Sequence, residues 1–305
     1  MRNAFAAVVT ELTQEDPRLV LLAGDIGNRL FNQFKDFSPN RFYNCGVAEA
    51  NMIGVAAGMA MSGLRPICYT ITPFITARCL EQIRVDLCYH NVPVTIVGTG
   101  SGLSYASLGA THHSCEDIAM LRVLPGMTVI CPADAVEVKA AVRAALKHDG
   151  PIYIRIGKKN EPVVHAAPPD FVIGKSICLR PGNDVCLLST GNMISVVLQA
   201  AEKLEQAGYS ARVESFHTVK PLDEECLKKV FSHCRVVATI EEHSLIGGFG
   251  AAVAEWLADR PPFPAKLARF GSADRFLYET GSQNFARRQY GLDADSIAEK
   301  IKNLL

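Results

Sequence analysis

Apolar and polar positions alternate along the chain on two length scales. Short, nearly continuous apolar runs occur at 19–23, 42–45, 67–71, 94–97, 128–131 and 152–156, each followed or preceded by a segment with helical spacing. Runs of that length bounded by turn residues read as strands buried on both faces, and their alternation with helices predicts a parallel sheet covered by helices. After Gly157 the pattern lapses into KKNEPVVHAAPPDFVIGKS, polar and proline-bearing, which reads as a linker. The alternation then resumes, with strands predicted at 185–189, 211–216, 236–240 and 266–270 and helices at 194–207, 224–231, 251–257 and 296–305. The expected architecture is α/β: two three-layer α/β/α domains with mostly parallel sheets, one over 1–160, a linker over 161–182 and a second domain over 183–305.

A hydrophobic content of 49% in 305 residues is enough for two real cores, and 31 Lys plus Arg balance 31 Asp plus Glu. No bulk charge therefore draws the chain to nucleic acid or to an anionic membrane. The opening MRNAFAAVVTELTQEDPRL lacks the apolar core of a signal peptide, and no run approaches the ~18 apolar residues of a membrane span. A soluble, cytoplasmic protein is expected. The ten cysteines are scattered singly with no CxxC pair, and Cys68, Cys131 and Cys186 sit inside apolar runs, so they read as reduced, mostly buried thiols.

One position breaks the pattern. NCGVAEANMIGVAAGMAMSG, at 44–63, has helical composition over 50–61, Gly63 as a stop, and a single acid, Glu49. A buried carboxylate is costly unless it is paired or used. On local grounds Glu49 lies in the first turn, where the positive end of the helix dipole is worth about 0.3–1 kcal/mol to an anion. The rival reading is a catalytic acid placed in apolar surroundings so that it can exchange a proton near neutral pH. The small residues Gly54, Ala56, Ala57 and Gly58 would let this helix pack closely on a neighbour.

GVAEANMIGVAAGMA, followed by a strand and YTITPF and then by GATHHSCEDIAMLRVLPGMTVICPADAVE, resembles the pyrimidine-binding domain of the transketolase family of thiamine-diphosphate enzymes. Downstream, TVKPLD and TIEEHSLIGGFGAAVAEWL resemble that family's C-terminal domain, so the resemblance runs in order through essentially the whole chain. It implies transfer of a two-carbon ketol unit from a ketose to an aldehyde with thiamine diphosphate and Mg²⁺. In the family, a glutamate at the position of Glu49 hydrogen-bonds the aminopyrimidine nitrogen. Sharing a proton there promotes loss of the thiazolium C2 proton, which a glutamine could not do. The resemblance also sets Phe74 of TPF against the pyrimidine face and His112 of GATHH at the substrate hydroxyls, with His113 as the alternate. Asp25 of LAGDIG then lies beside the cofactor at the carboxyl edge of the first strand. Read locally, Phe74 is equally a core residue, the histidine pair a surface feature and Asp25 a loop cap.

The family carries its diphosphate and metal site, a GDG motif with a downstream Asn, on the preceding half of the protein. This sequence has no GDG, and GDIG at 24–27 lacks the context. The resemblance thus implies a separate N-terminal subunit that holds the diphosphate and Mg²⁺, in an α2β2 heterotetramer with a homodimeric contact of this chain. Arg2 matches a phosphate-contacting arginine, Lys158 stands where another arginine is expected, and Arg29 falls near a phosphate-binding serine. Gly100 replaces a phosphate-contacting histidine, and Leu108 replaces an aspartate that reads the hydroxyl next to the reacting carbonyl. The implied substrates are small anionic sugars other than the usual pentose phosphates. Read locally, each of the three bases is an ordinary solvated side chain. The alternatives are the β subunit of a 2-oxo acid dehydrogenase, whose pattern also fits GVAE and LGATH, and a non-catalytic regulatory or structural partner subunit. A dinucleotide-binding oxidoreductase would need GxGxxG after the first strand, where the chain has GDIGNRL.

Overall fold

The computed structural model describes residues 1–158 and 161–305. Its strands are β1 (Leu19–Ala23), β2 (Phe42–Asn44), β3 (Arg65–Ile71), β4 (Thr95–Thr99), β5 (Thr128–Ile130), β6 (Ile152–Ile156), β7 (Ile177–Arg180), β8 (Val185–Ser189), β9 (Ala211–Ser215), β10 (Thr218–Lys220), β11 (Val236–Ser244) and β12 (Lys266–Ser272). They form two sheets, of seven strands in the order β10-β5-β6-β4-β3-β1-β2 and of five in the order β12-β11-β8-β9-β7. Both sheets are parallel except at one edge, where β10 runs antiparallel to β5 and β7 antiparallel to β9. The α/β expectation of two mostly parallel, helix-covered sheets holds, and every strand predicted from the apolar runs is present, several with shifted ends.

Two strands lie where none was expected. Residues 177–180, inside the segment read as a linker, form β7, and the expected boundary at residue 160 lies outside the described residues. β10 comes from the second half of the chain yet completes the first sheet, with Thr218 opposite Ile130. The TVKPLD stretch is therefore a strap between the halves. Lys220 donates from Nζ to the carbonyl of Arg122 at 2.9 Å, and Asp223 caps the helix Glu224–His233 by accepting from the Cys226 N–H at 3.1 Å.

Strand alternation divides the side chains between two cores. Leu19 and Leu21 point to the helices Arg2–Glu15 and Ala135–Ala145, whereas Val20 and Leu22 point to the helix Glu49–Met61. The second of these cores does not stop at the domain boundary. Val129 and Cys131 of the first half share it with Cys186, Leu188, Phe216, Val219, Leu227 and Phe249 of the second. No helix among the described residues is long and apolar enough to cross a membrane.

A polar cluster closes the seam between the sheets. Arg155 on β6, buried to 2% exposure, donates from Nε to Asp117 at 2.7 Å and from Nη2 to the carbonyls of Ser114 and Glu242, both at 2.9 Å. Tyr153 donates its hydroxyl to the same Asp117 oxygen at 2.6 Å. Burial pushes the Asp117 carboxyl up, but Arg155, then His243, and the hydrogen bonds from Arg155 and Tyr153 hold it below the usual range. On the other side of the seam Glu242 accepts from Arg287 Nε at 2.7 Å and from the Leu103 N–H at 3.0 Å.

These buried groups make stability depend on pairing and on pH. Asp117→Ala leaves a buried guanidinium unpaired and is expected to cost about 3–5 kcal/mol in chemical denaturation, with most of that recovered in Asp117→Ala/Arg155→Met, where no orphaned charge remains. His217, fully buried between β9 and β10 and stacked on Phe171 at 3.9 Å, has its pKa lowered by burial from 6.5 to about 4. The unfolded chain therefore takes up a proton first as the pH falls. Stability is complete above about 6.5 and declines toward pH 4 by up to about 1.4 kcal/mol per pH unit. His217→Phe should flatten that limb of the pH profile measured by thermal unfolding.

Candidate active site

The carboxyl ends of β1, β3, β4 and β6 open on one edge of the seven-stranded sheet, and the residues singled out from sequence gather along it. The helix Glu49–Met61 buries residues 49, 52, 53, 56, 57 and 60, an uninterrupted 3.6-residue stripe that starts with the acid itself. Glu49 is 2% exposed, and its Oε2 accepts from Arg78 Nη1 at 2.7 Å. It lies against the end of β1. A Cβ on Gly24 would sit 3.0 Å from Thr70 and 3.4 Å from the Glu49 Cγ, so the residue after that strand packs tightly against Thr70 and touches the acid's side chain.

Phe74 lies in the helical turn Thr72–Ile75 that follows β3, fixed by a 3.0 Å bond from Thr72 Oγ1 to the Thr99 carbonyl. The Arg78 guanidinium covers the Phe74 ring at 4.6 Å, and the His112 ring meets it edge-on at 5.4 Å and 68°. Tyr105 packs against the other side of His112 at 5.9 Å, and the Lys158 ammonium lies 4.3 Å above the Tyr105 ring. Glu49, Phe74, His112 and Lys158 are thus joined in one continuous row, and the two residues that join them, Arg78 and Tyr105, were not read from the sequence. Arg78 carried a faint signal, since it stands four residues after Phe74 in a helical context.

Tyr105 explains Gly100. At φ +78°, a Cβ there would fall 1.9 Å from the Tyr105 Cε2, so the tyrosine ring occupies the space that a histidine at this position would fill. Burial pushes the Tyr105 phenol up against the pull of the Arg2 charge, which sets Arg2 beside it. Arg2 is half-buried, with its Nε buried and without a hydrogen-bond partner among the described residues. The remaining candidates stand apart from the row. His113 is buried, with its Nε2 3.5 Å from the Ala106 carbonyl, and lines a 220 Å³ cavity with Cys115 and Tyr290 beneath the loop. Asp25 is exposed at φ 53°, exchanging hydrogen bonds of 3.2 Å with Asn44 at the end of β2, and Arg29 is exposed in the following loop. Leu108 is half-exposed at the loop tip. Among the described residues no group of three His, Cys, Asp or Glu side chains is arranged to hold a metal ion.

The arrangement sets a buried acid and an aromatic ring, bridged by Arg78, at the carboxyl edge of the larger sheet of a two-sheet α/β protein. The chain belongs to the transketolase family, whose members are thiamine-diphosphate-dependent transferases: residues 1–163 match the transketolase pyrimidine-binding domain and residues 174–297 the transketolase C-terminal domain. It is 38% identical over 298 residues to the 6-deoxy-6-sulfo-D-fructose transketolase subunit SqwH of Clostridium sp. (strain MSTE9), covering 97% of this chain and 92% of that one. It is 34% identical over 300 residues to an apulose-4-phosphate transketolase subunit of Phocaeicola vulgatus, covering 98% and 95%. A split-gene transketolase solved as an inactive β4 tetramer superposes with a TM-score of 0.92 at 36% identity, covering 100% of this chain and 97% of that one. These relatives favour the C-terminal subunit of a split transketolase over a 2-oxo acid dehydrogenase β subunit or a non-catalytic partner.

The Gly100 and Tyr105 packing is testable by a double-mutant cycle in thermal unfolding. Gly100→Ala is expected to cost about 2–4 kcal/mol in the parent but only about 1 kcal/mol, the strain of its backbone angle, in a Tyr105→Ala background.

Proposed function

We propose that this chain supplies the pyrimidine half of a thiamine-diphosphate site in a split enzyme that moves a two-carbon ketol unit from a ketose to an aldehyde. The observation that carries the reading is the pairing of the buried Glu49 carboxyl group and the Phe74 ring, which Arg78 touches at once. Both fit an aminopyrimidine, which needs an acid at its ring nitrogen and an apolar face to stack on. The bound cofactor supplies the carbon that carries the transferred unit. Glu49 holds and exchanges the proton at the ring nitrogen, Phe74 supports the ring, and Asp25 borders it at the sheet edge. His112, whose Nδ1 is 3.0 Å from the Thr111 hydroxyl, serves the substrate hydroxyls, with His113 in reserve.

In this reading the diphosphate and Mg²⁺ belong to an N-terminal partner subunit carrying the GDG motif, in a cytoplasmic α2β2 assembly, and the chain divides into domains at 1–160 and 183–305. The outer face of the Glu49 helix supports such an assembly. Asn51, Gly54, Val55, Gly58 and Met61 lie along it, and a Cβ on Gly58 would meet nothing within 4 Å. A neighbouring subunit could approach its backbone there. Arg2 and Lys158 beside Tyr105, with Arg29 further off on the loop after β1, support an anionic sugar as substrate, the class to which the sulfonated and phosphorylated substrates named for the two relatives belong.

The decisive assay reconstitutes the chain with its N-terminal partner and supplies ketose plus aldehyde. Glu49→Gln is expected to lower ketol transfer by about 10²–10⁴-fold. Turnover confined to a 2-oxo acid with an artificial oxidant, or unchanged transfer by Glu49→Gln, would reject the assignment.

A further inference from the structure

We propose that Arg78 holds the aminopyrimidine's place on Glu49 and Phe74 and is displaced when the cofactor ring binds, so that this arginine sets the cofactor affinity of the site. The inference rests on the reading of Glu49 and Phe74 given above. A guanidinium is flat, carries N–H donors along its edge and stacks on aromatic faces. Those are the properties by which an aminopyrimidine would engage a carboxylate and a ring, and Arg78 engages both: Nη1 is 2.7 Å from Glu49 Oε2 while the guanidinium carbon lies 4.6 Å over Phe74. A second flat group cannot stack on the Phe74 face that the guanidinium covers, so the ring and Arg78 compete for that face.

Two observations make displacement the expected outcome. Arg78 is the hydrogen-bond partner of the Glu49 side chain among the described residues, so an acid that is 2% exposed has its contact with this arginine to lose or to exchange for another donor. The arginine itself is loosely held, since its side chain is 46% exposed, it rides on the short turn Ala77–Cys79, and no second hydrogen bond anchors it among the described residues.

The test has two readouts that do not depend on turnover. Calorimetric titration of thiamine diphosphate with Mg²⁺ into the chain assembled with its N-terminal subunit should give a Kd about fivefold lower for Arg78→Ala than for the parent, with Arg78→Lys between them. In the free chain Arg78→Ala should lower the melting temperature by a few degrees, and that loss should largely vanish in a Glu49→Gln background, where no buried charge needs a partner. Unchanged or weakened cofactor binding in Arg78→Ala overturns the proposal, as does a melting-temperature loss equally large with Glu49→Gln. Failure of the underlying reading is separate: cofactor affinity untouched by both Glu49→Gln and Phe74→Ala would remove the site itself, whatever Arg78 does.

Discussion

The site depends on a guanidinium that never reaches it. Arg155, buried on β6, donates to the Ser114 carbonyl, which also accepts from the Gly102 N–H at 3.1 Å; the Ser114 N–H returns a bond to Gly102 at 2.9 Å. Those bonds clamp the base of the loop that carries Tyr105, His112 and His113. From the second half of the chain Glu242 reaches the same base through the Leu103 N–H, and a Cβ on Gly102 would stand 2.4 Å from its Oε2. A buried charge network of this kind adds little net stability compared with an apolar seam, because its desolvation offsets most of its attraction. What it adds is position: it ties the base of the loop that carries His112 to both sheets.

The EEHSLIGGFG segment therefore has a mechanical role. Glu241 accepts from the N–H groups of Phe249 and Gly250, each at 2.7 Å, and so fixes the start of the helix Phe249–Ala258. Glu242 closes the seam, and His243 accepts at Nε2 from the Ala119 N–H at 3.3 Å. The second domain contributes no residue to the row from Glu49 to Lys158, yet Glu242 of β11 bonds the base of the loop that carries Tyr105 and His112. The chemistry of that motif, two acids and a histidine, is largely absorbed by backbone groups.

Legibility in the sequence followed burial. Strands such as β1, β8 and β6 are buried at every position, so their apolar runs stood out without reference to anything else in the chain. β7 is half-exposed and β10 is three residues long, and both are antiparallel edge strands whose place is set by a partner far along the sequence. Local patterning cannot carry that information. The same limit applied in the site. Glu49, Phe74 and His112 were found through motif resemblance, and Glu49 alone was also flagged by its cost in an apolar stripe. Arg78 is an ordinary base in the sequence, because its pairing with an acid 29 residues earlier exists only after β3 and the turn behind it have folded.

Tyr105 shows how such a hidden residue shapes its surroundings. By filling the space over Gly100 it removes the room for a side chain there and puts in its place a phenol ring braced by Lys158 and set beside Arg2. A lysine offers a single movable point charge where an arginine would offer a planar fork, and the buried Nε of Arg2 is a donor with no partner among the described residues. In the proposed reading, positive charge beside Tyr105 is retained while the geometry that would tie it to one tetrahedral phosphate is relaxed, so the site would discriminate by sign more strongly than by shape.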